Sequence, residues 1–388
     1  MKNKKFETQA IRVQTARSQN NEHSSPLYLT SSFVFDTAEE MKAAFEDESD
    51  EFIYSRYTNP NTEELINKMC LLEGTEAGVV TASGMAAIYT SLAALLKSGD
   101  HIISCSSIFG ATHTILNKYF PRWNITYSFF NAASPLELEK LIQPNTKLIY
   151  VESPTNPGIE IVDLELLGRI AKKNNLILMV DNCFATPYIQ QPARYGADLI
   201  IHSATKYIDG QGRVLGGVVL GRKDLIDDIY LFGRVTGPSL SPFNAWILSK
   251  SLETLALRIE RHSENALQIA QQLEGHAKIE FVKYPFLKSH PQYAIAKKQM
   301  KFGGGIVTLN LKGGYEAAKK MLNALEMIKI SPNLGDSRTI ATHPASSTHI
   351  KLSEEERLAV GIYPGLVRIS VGLEDKNDIL QDILQALN

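Results

Sequence analysis

The chain has 388 residues, of which 44% are hydrophobic, and its formal net charge is −2. This length and composition suit two domains with separate cores, and the balanced charge argues against nucleic acid or an anionic membrane surface as a partner. The three cysteines, Cys70, Cys105 and Cys183, form no C-x-x-C metal pair and no disulfide framework, which predicts a reducing, cytoplasmic environment. The N-terminal stretch lacks the apolar run of a secretory signal, and no apolar run is long enough to span a bilayer.

The first predicted segments are an arm and a helix. Residues 1–62 are polar and weakly periodic, which predicts an extended N-terminal arm. The following stretch, NTEELINKMCLLEG, predicts a helix capped at Asn61 or Thr62. Its apolar face is formed by Leu65, Ile66, Met69 and Leu72.

Residues 63–250 alternate between strand and helix patterns. The stretch GVVTASGMAAIYTSLAALLKSGD predicts a short strand, a turn of small residues and a helix that ends at Gly99. The short runs HIISCSS, KLIYVES, LILMVDN and ADLIIHSA are apolar without clean alternation, as is typical of parallel strands covered on both faces. A helical pattern, DLELLGRIAKKNN, separates two of them, so we predict a large α/β domain with a mostly parallel sheet.

Residues 251–388 have a different pattern. A long helical pattern runs through AWILSKSLETLALRIERHSENALQIAQQLEG, and an alternating strand candidate, GIVTLNLKGG, follows after it. Another helix, the strand LVRISVGLE and a closing helix complete the chain. We predict a smaller C-terminal α+β domain here.

Several polar residues follow the predicted parallel strands. In open sheets of this kind the site lies beyond the carboxyl ends of the strands, so these residues are expected in one crevice. They are Ser83, Gly84 and Met85; Glu152, Ser153 and Asn156; Asp181; and Ser203, Thr205 and Lys206.

Lys206 and Asp181 together indicate a cofactor. A lone lysine is more often a solvated loop residue, but burial at a strand end would lower its pKa and leave an amine able to form a Schiff base. Asp181 follows the apolar run LILMV, where a carboxylate needs a cation or hydrogen-bond donors, although a helix cap is an equally good reading of Asp181 alone. A lysine with an acidic partner for a pyridine nitrogen is the signature of pyridoxal 5′-phosphate, PLP.

PLP also requires a phosphate-binding site. The stretch SGMAAIY offers backbone N–H groups where a glycine turn opens a helix, and Ser203 and Thr205 add hydroxyl groups. Small residues at such a junction are also common packing devices. The glycines after the lysine, Gly210 and Gly212, predict a loop with room for the freed side chain.

Two motifs that would indicate other functions are incomplete in this sequence. SATK has the S-x-x-K spacing of serine acyl-transfer enzymes, but the S-D-N and K-T-G motifs of those enzymes are missing. GQGRVLGG has Leu215 in place of the third glycine of a dinucleotide-binding motif and precedes a predicted strand instead of a helix.

Seven motifs occur in the order found in one family: YSRYTNPN, SGMAAI, ESPTNP, VDNCFATP, SATKY, THPASSTH and VRISVGLED. From about Thr8 to the last helix, the chain resembles the Cys/Met-metabolism enzymes, which are PLP-dependent transsulfuration enzymes. The resemblance implies the fold type I of PLP-dependent transferases.

The resemblance also implies roles for the cofactor-binding residues. Lys206 would hold PLP and move protons, and Asp181 would bind the pyridine nitrogen. The phosphate would be held by the amides of Gly84 and Met85 and by Ser203 and Thr205.

Further roles concern the substrate and the neighbouring subunit. Asn156 would contact the ring hydroxyl of PLP, and Arg368 would hold the substrate α-carboxylate, although Arg368 alone could equally form a salt bridge. Tyr54 and Arg56 would reach the phosphate of a neighbouring subunit, with Tyr54 also serving substrate binding and catalysis. The arm would thus contribute to a neighbour in a homotetramer built from dimers.

Four positions separate activities within the family. Phe109 stands where many members have a ring-stacking Tyr, and with Asn333 in NLGD it resembles the O-succinylhomoserine sulfhydrylases. Ala111 replaces the cysteine typical of methionine γ-lyases, and Thr114 replaces an Arg of some cystathionine-forming members. The resemblance therefore implies γ-replacement on an O-acylated homoserine by sulfide, giving homocysteine for methionine biosynthesis.

Other activities stay open at this point. Within the family these are cystathionine γ-synthase and γ-lyase. A different class is a catalytically inactive PLP-fold subunit that serves in binding, against which the presence of Lys206, Asp181 and Arg368 argues. An unrelated α/β binding module would require the seven motifs to be coincidental.

Overall fold

The computed structural model describes residues 1–388, apart from the side chain of Ala359, and contains two β-sheets. The first sheet has the spatial strand order β1-β7-β6-β5-β4-β2-β3. Its strands are β1 Ala77–Thr81, β2 His101–Cys105, β3 Thr126–Phe130, β4 Thr146–Glu152, β5 Ile177–Asp181, β6 Leu199–Ser203 and β7 Gly217–Gly221. Strands β2 to β6 pair in parallel, which confirms the predicted mostly parallel α/β architecture.

Strand β7 runs antiparallel to both of its neighbours, β1 and β6. The connection from β6 to β7, residues 204–216, contains no α-helix. Because a parallel neighbour needs a crossover that returns the chain to the opposite edge of the sheet, β7 has to run back alongside β6. Lys206 lies in this connection, at the carboxyl end of β6.

The helices enclose the first sheet on both sides. Ile200 and Ile201 point to opposite faces of β6, and both are fully buried. Ile200 packs in a cluster with Leu65, and Ile201 packs in another cluster with Leu92. The α-helices of the described residues are α1 Phe6–Arg12, α2 Ala38–Phe45, α3 Pro60–Glu73, α4 Gly84–Leu95, α5 Gly110–Thr114, α6 Leu164–Lys173, α7 Thr186–Ile189, α8 Lys223–Thr236, α9 Pro242–Leu252, α10 Leu255–Leu273, α11 Tyr293–Gln299, α12 Gly314–Ala324, α13 Glu354–Ala359 and α14 Lys376–Leu387.

Helix α3 begins earlier than predicted. Its cap is Asn59, whose side chain accepts a hydrogen bond from the Asn61 N–H at 3.0 Å, so a cap at Asn61 or Thr62 is wrong. Pro60 occupies the first helical position, where its fixed φ suits the helix and its missing N–H costs nothing.

The N-terminal arm is not wholly extended, because α1 and α2 form within it. Helix α2 has a capping box in which Thr37 and Glu40 each bond the other's backbone. That four-residue motif stabilises the short helix locally. The sequence prediction missed the helix because its apolar periodicity is weak.

The second sheet has the order β10-β11-β12-β9-β8 and is mainly antiparallel. Its strands are β8 Ile279–Lys283, β9 Ile306–Leu311, β10 Lys329–Ile330, β11 Ile340–Thr342 and β12 Leu366–Ser370. Helices α10, α12 and α14 share a hydrophobic core with it. The predicted domain boundary after residue 250 falls inside α9, and the division into domains stays a prediction.

Strand β9 is buried on both faces, although its alternating sequence suggests one solvated face. Thr308, on its polar face, donates a hydrogen bond to the carbonyl oxygen of Pro157 in the loop after β4, at 2.9 Å. This contact places the second sheet, and with it Arg368 on β12, beside the carboxyl ends of the parallel strands of the first sheet. None of the helices described is long and apolar enough to cross a membrane.

Candidate active site

A cavity of ≈ 480 Å³ opens beyond the carboxyl ends of β4, β5 and β6 and is closed on one side by β12. The structure brings together around it every predicted site residue except Tyr54 and Arg56. These residues are Gly84, Met85, Phe109, Asn156, Asp181, Ser203, Thr205, Lys206, Asn333 and Arg368. Ser153, expected at the same edge, is buried elsewhere, where its Oγ accepts a hydrogen bond from the Val162 N–H.

Asp181 is a buried carboxyl group at the end of β5. It accepts hydrogen bonds from the Cys183 N–H at 3.0 Å and from the Tyr150 hydroxyl at 3.3 Å. Burial raises the pKa of Asp181, because neither donor is a cation that would balance a desolvated charge. The site therefore suits a ligand that presents a cationic N–H to this carboxylate.

Lys206 faces the same cavity from the start of the connection after β6. Its Nζ donates a hydrogen bond to Oδ1 of Asn333 at 2.6 Å. Burial lowers the pKa of Lys206, and the positive charge of Arg368 lowers it further. A larger share of the amine is thus neutral and able to attack a carbonyl carbon.

Arg368 is fully buried on β12. Its guanidinium donates to Oδ1 of Asn156 at 2.9 Å and to the carbonyl oxygens of Pro332 and Asn333 at 2.9 and 2.8 Å. Each of these acceptors is neutral, so the arginine is not held by a salt bridge, and burial lowers its pKa to about 10. Arg368 also lines the cavity, and a buried guanidinium without a carboxylate partner suits an incoming carboxylate.

Helix α4 points its N-terminus into the cavity. Its cap, Ser83, accepts a hydrogen bond from the Ala86 N–H at 3.1 Å, while the amides of Gly84 and Met85 belong to the first turn and need partners from outside the helix. A Cβ at Gly84 would lie 2.6 Å from the Cβ of Ser203, so only glycine allows the helix to approach β6 this closely. The resulting cradle suits a phosphate group. Thr205 contributes less directly to this phosphate cradle, because its hydroxyl forms hydrogen bonds with the backbone of Gly216.

The glycines after Lys206 do not provide open space. Gly210 and Gly212 both have positive φ, and a Cβ on them would collide with Arg258 and Asp336, respectively. The prediction of a roomy loop is therefore wrong at these positions. Glycine is needed here for the turn and for close packing.

Glu152 lines the cavity and was given no role from the sequence. It lies at the end of β4, in register with Asp181 on β5. Its Oε2 accepts a hydrogen bond from the Phe109 N–H at 2.9 Å, and its Oε1 accepts one from the Asn156 N–H at 2.7 Å. Acidic residues at the ends of neighbouring parallel strands are the signal that could have identified it.

Tyr54 and Arg56 lie outside this cavity. The Arg56 guanidinium is 5.5 Å from the ring centroid of Tyr54 and 4.8 Å from that of Tyr57, and it also bonds the carbonyl oxygen of Arg234. Both residues are exposed. Their predicted role in a neighbouring subunit stays a prediction.

The residues of the cavity fit PLP. Asp181 is a buried carboxylate that lacks a cationic partner in the contacts above, Lys206 is a desolvated amine, and the Gly84–Ser203 contact forms an anion cradle at a helix N-terminus. These match the pyridine nitrogen, the aldehyde and the phosphate of the cofactor.

Comparison with known proteins gives the same result. The Cys/Met metabolism PLP-dependent enzyme family matches residues 7–388. O-succinylhomoserine sulfhydrylase of Pseudomonas aeruginosa is 45% identical over 382 residues, 98% of this chain and 95% of that protein. L-methionine gamma-lyase of Fusobacterium nucleatum subsp. nucleatum is 42% identical over 390 residues, 100% of this chain and 99% of that protein.

A solved structure is also similar. It is described as an O-acetylhomoserine (thiol)-lyase from Campylobacter jejuni and contains N′-pyridoxyl-lysine-5′-monophosphate. Its TM-score is 0.95 at 35% identity, and the match covers 99% of this chain and 100% of that chain. The predicted family and cofactor are thereby confirmed: the chain is an enzyme of the Cys/Met metabolism PLP-dependent family, with PLP as its cofactor.

Proposed function

We propose that the enzyme catalyses γ-replacement on an O-acylated homoserine, O-succinylhomoserine being the first substrate to test, with sulfide as the acceptor. The products are homocysteine, a precursor in methionine biosynthesis, and the free acid. The observation that carries this proposal is the 45% identity, over nearly the whole chain, with an O-succinylhomoserine sulfhydrylase. Methionine γ-elimination is the second candidate, because a relative named L-methionine gamma-lyase is 42% identical.

In this proposal Arg368 binds the substrate α-carboxylate. Its planar guanidinium suits two carboxylate oxygens, and its hydrogen bonds to Asn156 and to two backbone carbonyls fix its plane. The guanidinium is thus oriented before the substrate arrives, which lowers the entropy cost of binding.

Asp181 binds the pyridine nitrogen of the cofactor. When bound, PLP supplies an electron sink for the charge released at Cα of the substrate. The carboxylate of Asp181 would favour the protonated nitrogen, and hydrogen bonds from the Tyr150 hydroxyl and the Cys183 N–H hold that carboxylate in position.

Lys206 moves the protons. With its pKa lowered by burial, the amine accepts a proton from Cα and later returns it more readily than a solvated lysine. Asn333 holds Nζ in position through the 2.6 Å hydrogen bond.

The exchange at Cγ balances without an oxidant or reductant. The Cγ–O bond breaks and its electron pair leaves with the acyl group as a carboxylate. Hydrosulfide supplies the electron pair of the new C–S bond, and its proton stays on sulfur as the homocysteine thiol.

The identity of the acyl group is tested by comparing O-succinylhomoserine with O-acetylhomoserine. Within the described lining the cationic side chains are Lys206 and Arg368. In this proposal Lys206 transfers protons and Arg368 binds the substrate α-carboxylate, so neither is free for a second carboxylate. A succinyl carboxylate would therefore need a cation from outside this lining, whereas an acetyl group would not. The same holds for the carboxylate of cysteine as an alternative acceptor.

The experiment is a steady-state assay of PLP-loaded enzyme with O-succinylhomoserine and with O-acetylhomoserine, each with sulfide, with cysteine and without an acceptor. Homocysteine formed only with sulfide supports γ-replacement, and cystathionine formed with cysteine indicates a cystathionine synthase. Methionine is assayed alone in parallel. Rapid 2-oxobutyrate and ammonia from methionine, or from the esters regardless of acceptor, would assign the enzyme to γ-elimination.

A further inference from the structure

Glu152 connects two parts of the active site that lie on separate segments of the chain. The Phe109 N–H belongs to the residue that caps α5, and the Asn156 N–H belongs to the loop after β4. Glu152 accepts a hydrogen bond from each, at 2.9 and 2.7 Å, using a different carboxyl oxygen for each. Its side chain is 4% exposed, so water does not substitute readily for either contact.

Each contact leads to a group with a proposed role at the cofactor or the substrate. Asn156 uses its Oδ1 to accept a hydrogen bond from Arg368, the proposed clamp for the α-carboxylate, at 2.9 Å. Phe109 is the residue predicted to stack on the cofactor ring. One carboxyl group therefore supports both the ring contact and the carboxylate contact.

We propose that Glu152 is a positioning residue, which aligns Phe109 with the cofactor and, through Asn156, aligns Arg368 with the substrate α-carboxylate. This rests on the proposed function only in assigning the α-carboxylate to Arg368. It holds equally for γ-replacement and γ-elimination.

The size and shape of the Glu152 side chain make glutamine the matched substitution. Burial and the neighbouring Asp181 raise the pKa of Glu152 well above its usual range, although the two N–H donors oppose the shift. A carboxyl group and a carboxamide have nearly the same size and shape. Glu152→Gln therefore removes one acceptor atom, because an amide NH₂ cannot accept an N–H, and Glu152→Ala removes both.

The test measures recognition of the α-carboxylate without any γ-chemistry. L-norvaline and butylamine differ only by that carboxylate, and neither has a leaving group at Cγ. Both are titrated into the PLP-loaded enzyme and followed by the visible absorbance of the cofactor, and the ratio of their Kd values is the readout. Glu63→Gln, at an exposed position on α3, is the matched control.

We expect wild-type enzyme and Glu63→Gln to prefer norvaline to the same extent. Glu152→Ala should reduce this preference by about tenfold or more, and Glu152→Gln by a smaller factor, as expected for losing two or one buried hydrogen bonds. The circular dichroism of the bound cofactor should change in the same order as Phe109 loses its alignment.

A purely structural role gives a different pattern: Tm and PLP content fall together while the Kd ratio of folded, loaded enzyme stays at the wild-type value. That pattern overturns the proposal, as does a wild-type enzyme with no preference for norvaline. If Glu152→Ala does not fold, the isosteric Glu152→Gln decides alone. Failure of the sulfide assay leaves this readout unchanged, so the two proposals are tested separately.

Discussion

Asp181, Lys206 and Arg368 are ionisable residues at one cavity, where Asp181 and Arg368 are buried and Lys206 is half-buried. Desolvation shifts the pKa of each in the direction that favours its neutral form. Burying charged groups without opposite charges costs free energy. Ligands that supply the opposite charges recover this free energy. A pyridine N–H would do so at Asp181, and a carboxylate would do so at Arg368. Perturbed groups in a cleft are typical of functional sites for this reason.

Lys206→Ala should abolish the visible absorption band of the lysine-bound cofactor and lower activity by about a thousandfold or more, since a positioned proton carrier is lost. The fold should be retained, because the substitution removes a desolvated amine that lies near the positive charge of Arg368. Absorbance after dialysis, activity and Tm are measured together, with Lys223→Ala, an exposed lysine on α8, as the control. If the band survives dialysis in Lys206→Ala, another lysine carries PLP and the site assignment is wrong.

His262 should make the fold sensitive to acid. Its Nδ1 lies 2.7 Å from the carbonyl oxygen of Val371, and burial lowers its pKa from 6.5 to about 4. The unfolded chain binds a proton below pH 6.5 while the folded chain resists until about pH 4, so this contribution to stability is complete above pH 6.5 and is lost as the pH falls towards 4. Between pH 7 and pH 5 the loss from this histidine is about 2 kcal/mol.

The measurement is Tm at a fixed scan rate across that pH range. His262→Gln should show a smaller decrease in Tm on acidification than wild type, whereas His23→Gln, at an exposed position, should follow wild type. Equal pH profiles for wild type and His262→Gln would contradict the assignment.

At the scale of elements, the site depends on where helix α4 begins relative to the end of β6. The strand ends and the small residues of SGMAAI were sufficient to predict this junction, because carboxyl ends of parallel strands share one edge of the sheet. The sequence could not show that Glu152 bonds Phe109 and Asn156, since those contacts depend on loop conformation. Strands β10 and β11 were missed because elements of two and three residues are too short to have a period.

Gly84→Ala should weaken PLP binding by about tenfold or more, because a Cβ placed 2.6 Å from Ser203 forces α4 away from β6 and opens the phosphate cradle. The Kd of PLP is measured by absorbance on re-addition to the apoenzyme. Gly233→Ala on α8 is the control, since the nearest atom to its added Cβ is 3.7 Å away. Wild-type PLP affinity in Gly84→Ala would show that the cradle does not bind the phosphate.

At the scale of the whole molecule, a single chain leaves Tyr54 and Arg56 away from the cavity that contains Lys206. The region around them also exposes apolar side chains, including Val34 at 96% and Val235 at 84% exposure. Exposed apolar surface of this kind is typical of interaction sites. A symmetric dimer that buries it could carry Arg56 to the neighbour's cofactor phosphate, as the family resemblance implies.

Mixing two inactive variants tests whether sites are shared. If each site uses Lys206 from one chain and Arg56 from the other, Lys206→Ala and Arg56→Ala should each have low activity alone. In a mixed dimer, one site then has both defects and the other has neither. After denaturation and refolding of an equal mixture, random pairing should restore activity to about a quarter of the sites.

The control is the same mixture prepared without denaturation, in which the chains do not exchange and activity should stay low. A second control co-refolds Lys206→Ala with Asp181→Ala. Both defects then belong to residues of one chain's cavity, so each site retains one defect in every pairing and no recovery is expected. If the Lys206→Ala and Arg56→Ala mixture also fails to recover although both chains refold and pair, Arg56 serves its own chain or no site at all. The arm would then act through assembly alone, and the prediction of shared active sites would be wrong.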